Sequence, residues 1–143
     1  MRREYPESPI VGVGAVVIDG SQVLLVRRGQ APLKGEWSLP GGGVELGETL
    51  RAGVVREVLE ETGLVVVPGD IVVVLDRIVN DETRIRFHYV LIDFVCHVTG
   101  GTLGCASDAE EACWVERSQL EGYNLALVTL QVIEKAFQLD QSN

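Results

Sequence analysis

The segment from Gly41 to Leu64, GGGVELGETLRAGVVREVLEETGL, constrains this chain more than any other stretch. Three glycines, which let other groups approach the backbone closely, run into a stretch whose charges recur at helical spacing. Thr49 can serve as an N-cap and Gly63 as the C′ residue, so both ends of a helix from Leu50 to Thr62 have a chemical cause. At about 100° per residue, with Glu57 at zero, Glu60 falls near −60° and Glu61 near +40°, whereas Ala52, Val55, Leu59 and Thr62 fall between about 140° and 220°. The pattern predicts three carboxylates on one face and a core-facing apolar stripe on the other. Gly53 falls near −40°, on the carboxylate face, at a cost of ~1 kcal/mol relative to Ala. It is either room for metal or substrate or a tolerated helix glycine.

Carboxylates crowded on one face raise one another's pKa values, and a divalent cation relieves the repulsion. Mg²⁺ or Mn²⁺ suits such a site, because hard cations take carboxylate, carbonyl and water oxygens and also bind substrate phosphates. The glycine run can offer a carbonyl. Zinc is disfavoured, since no Cys or His accompanies the cluster. These parts meet the needs of phosphoanhydride hydrolysis, which are neutralised phosphate oxygens and an acidified water. A Glu-rich helix face is more often simply solvated. Here the glycine run, Arg56 and the fixed spacing argue for chemistry.

Net charge is −9 and the pI about 4.6, which disfavours nucleic acid as a partner and requires cations to hold an anionic substrate. No apolar run reaches the ~20 residues of a membrane span, and the first residues, MRREYPESP, lack a signal-peptide core, so a cytoplasmic protein is expected. Cys96, Cys105 and Cys113 form no CxxC pair and read as reduced thiols, with Cys96 and Cys113 in the core and Cys105 in a loop.

Residues 1–9 read as a loose arm and IVGVGAVVIDG as a strand. Gly12 and Gly14 are not a dinucleotide fingerprint, because Val17 stands where the third glycine belongs and no helix follows. Strand glycines permitting close approach fit better. Asp19-Gly20-Ser21 predicts a hairpin into Gln22 to Arg28, whose last two residues, Arg27 and Arg28, are either a solvated strand end or phosphate contacts. Trp37 reads as packing. After the helix, Val65 to Val67 and Ile71 to Leu75 read as strands parted by Pro68-Gly69, with a turn at Asn80-Asp81-Glu82. A longer strand follows, with Phe87, Tyr89, Leu91 and Asp93 on one face and His88, Val90, Ile92, Phe94 and Cys96 on the other. Asp93 is either a substrate contact or a satisfied strand aspartate. A glycine-rich loop from Thr99 to Glu111, a short strand at ACWVE, a helical turn from Ser118, a break at Tyr123-Asn124 and a helix from Leu125 to Leu139 complete the chain.

Gly42, Glu48, Arg56, Glu57, Val58, Glu60, Glu61, Gly63 and Leu64 resemble the Nudix hydrolase signature at every specified position. VLLVRRG, GEWSLPGGGVELGET, FHYVLIDFVC and EEACWVERSQL extend the resemblance to small bacterial members called ADP-ribose pyrophosphatases. The resemblance implies an α/β fold, the Nudix α/β/α sandwich with a mixed sheet between helices, as one domain over residues 1–143. It implies Mg²⁺ or Mn²⁺ on Glu57, Glu60 and Glu61, with the Gly41 carbonyl as a further ligand, and Arg56 with Glu48 as the orienting pair. The general base is either a box glutamate or an acid before a late strand, here Glu110 or Glu111, with Asp108 a weaker choice. The implied reaction is hydrolysis of a nucleoside diphosphate linked to another moiety, ADP-ribose giving AMP and ribose 5-phosphate. A MutT-type triphosphate hydrolase, oxidised dGTP included, is the alternative, in which Asn124 would read a base edge. A non-catalytic nucleotide sensor is a third reading, disfavoured by the intact box. Larger ADP-ribose hydrolases carry a proline about sixteen residues beyond the box, and the region around Val79 to Asp81 has none, so the resemblance fixes the substrate less firmly than the reaction. A homodimer is the family expectation.

Overall fold

β-branched alternation sets Ile10–Asp19 as strand β1, and a tight turn with Gly20 at φ 60° returns the chain as β2, Gln22–Arg28. These elements come from a computed structural model that describes residues 3–29, 34–104 and 109–141, with only the backbone of 109 and 110. Cys105 and Asp108 lie outside the described residues. Two short strands follow, β3 at Trp37–Ser38 and β4 at Gly41–Gly43, then helix α1 at Leu50–Thr62. Next come the long strands β5, Leu64–Asn80, and β6, Ile85–Gly101, then β7, Ala109–Glu116. A 3₁₀ turn over Arg117–Tyr123 leads to helix α2, Leu127–Gln141.

The sheet is mixed, as expected. β1 pairs antiparallel with β4 on one side and parallel with β6 on the other, and β5 lies antiparallel along β6. The parallel β1–β6 pair requires a long crossover, which α1 and β5 supply. β2 carries β3 and β7. Strand alternation then sends side chains to two helical layers. Val13, Ala15, Val17, Ile92, Phe94 and Cys96 pack with Val54 and Val58 of α1, while Val16, Ile18, Val23, Leu25, Val95 and Val115 pack with Val132, Ile133, Ala136 and Phe137 of α2. The result is an α/β/α sandwich.

Three local readings change. The core-facing side chains of α1 are Val54 and Val58, near +60° and +100° on the same wheel, with Thr62 of the expected stripe, whereas Ala52 and Leu59 are exposed. β5 runs unbroken through Pro68, and its register with β6 shifts between Pro68 and Ile71, an irregularity that lets a residue without an N–H remain in the ladder. Part of the segment read as loose is anchored at the β5–β6 turn. The Tyr5 amide donates to the Arg86 carbonyl at 2.7 Å, its hydroxyl bonds Asp81, Arg84 lies 3.9 Å over its ring, and Glu4 pairs with Arg86 at 2.7 Å. Trp37 packs edge-on to Tyr123 at 5.2 Å. Cys96 is buried, and burial pushes its thiol up to about 12.

Candidate active site

The α1 caps have the expected chemistry. The Ala52 amide donates to Thr49 Oγ1 at 3.1 Å, and Gly63, at φ 78°, donates its amide to the Leu59 carbonyl at 2.9 Å. Between these caps Arg56 is the hub. Its Nε and Nη2 donate to the two oxygens of Glu48 at 2.7 and 2.9 Å, a bidentate fork. Nη2 also reaches the Gly43 carbonyl at 2.9 Å, and Nη1 reaches Glu57 at 3.0 Å and Glu60 at 3.3 Å. The Arg56 guanidinium and the Glu45 amide hold the Glu48 carboxyl down to about 2, and Glu48 in turn raises the Arg56 pKa. Burial pushes Glu57 up, against the pull of Arg56.

Glycines make this geometry possible. A Cβ on Gly42 would overlap the Glu57 carboxylate, and one on Gly41 would press on the β1 backbone at Gly14 and Val13. The Gly41 amide donates to Glu61 Oε1 at 2.9 Å. Gly53, by contrast, leaves room for Glu48, whose Oε1 would stand 3.1 Å from a Cβ there. Glu57 and Glu61 are 8% and 5% exposed, so the carboxylate face lies against the glycine strand, whereas Glu60 is open to solvent. Among the described residues no three His, Cys, Asp or Glu side chains are already gathered as a metal cage, since Arg56 stands between Glu48, Glu57 and Glu60. The donor set, carboxylates beside glycine carbonyls, fits a hard divalent cation.

A cleft of about 150 Å³ opens on the α2 face of the sheet. Two cross-strand rows form its floor. Gly43, Gly12, Leu91 and Leu75 are successive partners in one row, and Gly41, Gly14 and Asp93 in the other. Gly12 and Gly14 keep the floor low, because a Cβ on Gly12 would stand 2.7 Å from Leu91 and one on Gly14 would overlap Asp93 Oδ1. Ser38, Leu39, Pro40, Tyr89, Arg28, Arg77 and, from α2, Val128, Thr129 and Val132 complete much of the wall.

Of the candidate metal, catalytic and substrate residues, Gly41, Arg28 and Asp93 line the cleft. Asp93 is 7% exposed, and burial pushes its carboxyl up to about 6. Arg27 is turned instead to Glu111, its register partner on β7, at 2.6 Å. Asn124, at φ 52°, ends the 3₁₀ turn and is exposed away from the cleft lining. The side chain of Glu110 lies outside the described part of the structure. Sequence reasoning missed Arg77 and Tyr89. The available signal was a basic residue on the inward alternation of β5, two positions after Leu75.

The NUDIX domain family is matched over residues 8–135. The ADP-ribose pyrophosphatase of Methanocaldococcus jannaschii is 38% identical over 112 residues, covering 78% of this chain and 64% of that protein. The human 8-oxo-dGDP phosphatase NUDT18 is 32% identical over 124 residues, 84% of this chain but 36% of its own length. The chain thus spans less than two thirds of either relative. The crystal structure of a MutT NUDIX hydrolase from Burkholderia pseudomallei is similar at a TM-score of 0.74 and 28% identity, covering 90% of this chain and 98% of that one. With the box geometry and the sandwich, these similarities establish that the chain belongs to the NUDIX domain family.

Proposed function

We propose that the protein hydrolyses a phosphoanhydride in a nucleoside diphosphate linked to another moiety, with Mg²⁺ or Mn²⁺, and that ADP-ribose gives AMP and ribose 5-phosphate. The observation that carries this reading is the carboxylate stripe of α1, buttressed by Arg56 and pressed against a glycine strand that also walls the cleft. Similarity to the Methanocaldococcus jannaschii ADP-ribose pyrophosphatase supports the substrate. Glu57, Glu60, Glu61 and the Gly41 carbonyl would hold the cation, which when bound neutralises phosphate oxygens and acidifies a coordinated water. Arg56, braced by Glu48, fixes the orientation of Glu57 and Glu60 and so acts as a positioning residue. Proton abstraction falls to a box glutamate or to Glu111 or Glu110. Arg28 and Asp93 contact the substrate in the cleft.

A MutT-type triphosphate hydrolase is the second reading, favoured by the Burkholderia pseudomallei MutT structure, while the human 8-oxo-dGDP phosphatase supports only the oxidised guanine part of it. The contacts this reading assigned to Asn124 and Arg27 lie outside the cleft as it stands, with Asn124 exposed beyond its lining and Arg27 paired with Glu111. No helix among the described residues is long and apolar enough to cross a membrane. We place the reaction on a small nucleotide in the cytoplasm, away from nucleic acid, with a homodimer as the family expectation.

The test is a panel of ADP-ribose, nucleotide sugars, dGTP and oxidised dGTP, assayed with Mg²⁺ and with Mn²⁺ and analysed for the bond broken. AMP and ribose 5-phosphate are the expected products. A preference for triphosphates with pyrophosphate release replaces the first reading by the second, and no turnover on any member removes both.

A further inference from the structure

Arg77 is the least compensated charge in the cleft. Its Nε is buried and has no hydrogen-bond partner among the described residues. Burial and the neighbouring Arg28 guanidinium both lower its pKa, against the weaker pull of the exposed Glu36 and of Tyr89. Two guanidinium groups thus share one wall of a cleft whose floor carries one acid, Asp93, and whose lining includes a third cation, Arg3. In a chain of net charge −9 this local excess of positive charge runs against the general field.

The sheet shows where this charge stands relative to the carboxylate helix. From β4 the cleft crosses β1 at its glycines, then β6, then β5, so Arg77 lies three strand spacings from Gly43. At about 4.8 Å per spacing that is ~14 Å, the span of a nucleotide rather than of a diphosphate alone. A guanidinium fork is matched by oxygen pairs on phosphate or carboxylate. A neutral base at this point would leave the repulsion between Arg77 and Arg28 in place, whereas an anion removes it.

We propose that Arg77 and Arg28 form a subsite for an anionic group of the substrate, a phosphomonoester or a carboxylate, distal to the scissile anhydride. The subsite rests on reading the cleft as the substrate site, and it adds to the ADP-ribose reading a preference for nucleoside diphosphate conjugates that carry a further negative charge. The charge has two sources, a phosphate on the nucleoside half or an acid on the sugar half.

Calorimetric titration with Ca²⁺ in place of Mg²⁺ supplies the cation that an anionic ligand needs and reads binding rather than hydrolysis. One pair of probes is ADP-ribose and its adenosine 2′-phosphate derivative, and the other is UDP-glucose and UDP-glucuronate, so the two arms separate the two sources. In the wild type the anionic member of one pair should bind about tenfold more tightly than its neutral partner, in line with charge-assisted hydrogen bonds. Arg77→Met should bring that ratio near one with little change for the neutral member, and Arg77→Lys should keep part of it. Should Arg77→Met not fold, Arg28→Met is read by the ratio alone, which should likewise fall toward one while both members of the pair bind more weakly. Ratios near one in both wild-type pairs, a ratio that survives Arg77→Met, or no binding of any probe would overturn the proposal. A preserved ratio in a protein that turns over none of the probes when Mg²⁺ is added would instead count against the hydrolase reading alone.

Discussion

Asp93 should make the protein less stable at neutral pH than it would be with an amide at the same place. The carboxyl is buried against Gly14 in the cleft floor, and burial lifts its pKa from 3.8 to about 6. The folded state therefore holds this proton more tightly than the unfolded chain does. Stability from this group is complete below the unfolded pKa, is lost as pH rises through the folded value, and stays lost above it. A displacement of about two pH units corresponds to about 3 kcal/mol, a large part of the ~5–15 kcal/mol that holds a domain folded. Asp93→Asn keeps the shape without the charge. Urea unfolding at several pH values from 4.5 to 8 isolates the effect as the difference between variant and wild type. The variant should gain most at pH 7 to 8, by up to about 3 kcal/mol less whatever the amide costs in packing, and the gap should shrink toward pH 4.5. A gap of constant size across the range would refute the argument, since desolvation of a charge is the cause invoked. The same substitution should raise KM if the carboxylate meets substrate.

Glu60→Gln and Glu61→Gln should each lower kcat by orders of magnitude with unfolding curves close to wild type, and near-normal turnover in both would remove the metal assignment. Arg56→Lys should lower kcat by about 10²-fold, because an ammonium cannot serve Glu48, Gly43 and Glu57 together, and kcat measured beside a thermal melt separates this from misfolding. Gly14→Ala should cost about 1–3 kcal/mol or displace Asp93, since its methyl would overlap Asp93 Oδ1, and urea unfolding with KM reports which.

The α1 site was legible because its parts lie within one short stretch. Glu57, Glu60, Glu61 and Arg56 share a helix, and Glu48 stands just before its N-cap, so local spacing and capping place them together. The same wheel misjudged which arc meets the core. Val54 and Val58 lie beside Glu57 and Glu61, and the glycine strand turns both pairs inward at once. Helical periodicity measures angles between side chains and carries no information about the direction from which a sheet approaches. For β6 the alternation succeeded, with Ile92, Phe94 and Cys96 packed toward α1 and Asp93 on the other face, because a strand offers only two sides.

The cleft had no comparable local signal. Gly12, Gly43, Leu91 and Leu75 meet only through β1 pairing with β4 and β6 and through β5 pairing with β6. Arg27 and Arg28 are neighbours in sequence, yet one is held by Glu111 on β7 and the other lines the cleft. The sequence by itself determined the carboxylate-bearing helix and its caps, since both follow from spacing within one element, and its resemblance to the Nudix signature implied the orienting pair and the fold class. Only the tertiary structure decided which glycines lower the cleft floor, that Asp93 is buried and that Arg77 faces Arg28. Those facts depend on strand order and register, which distant segments settle together when they pack.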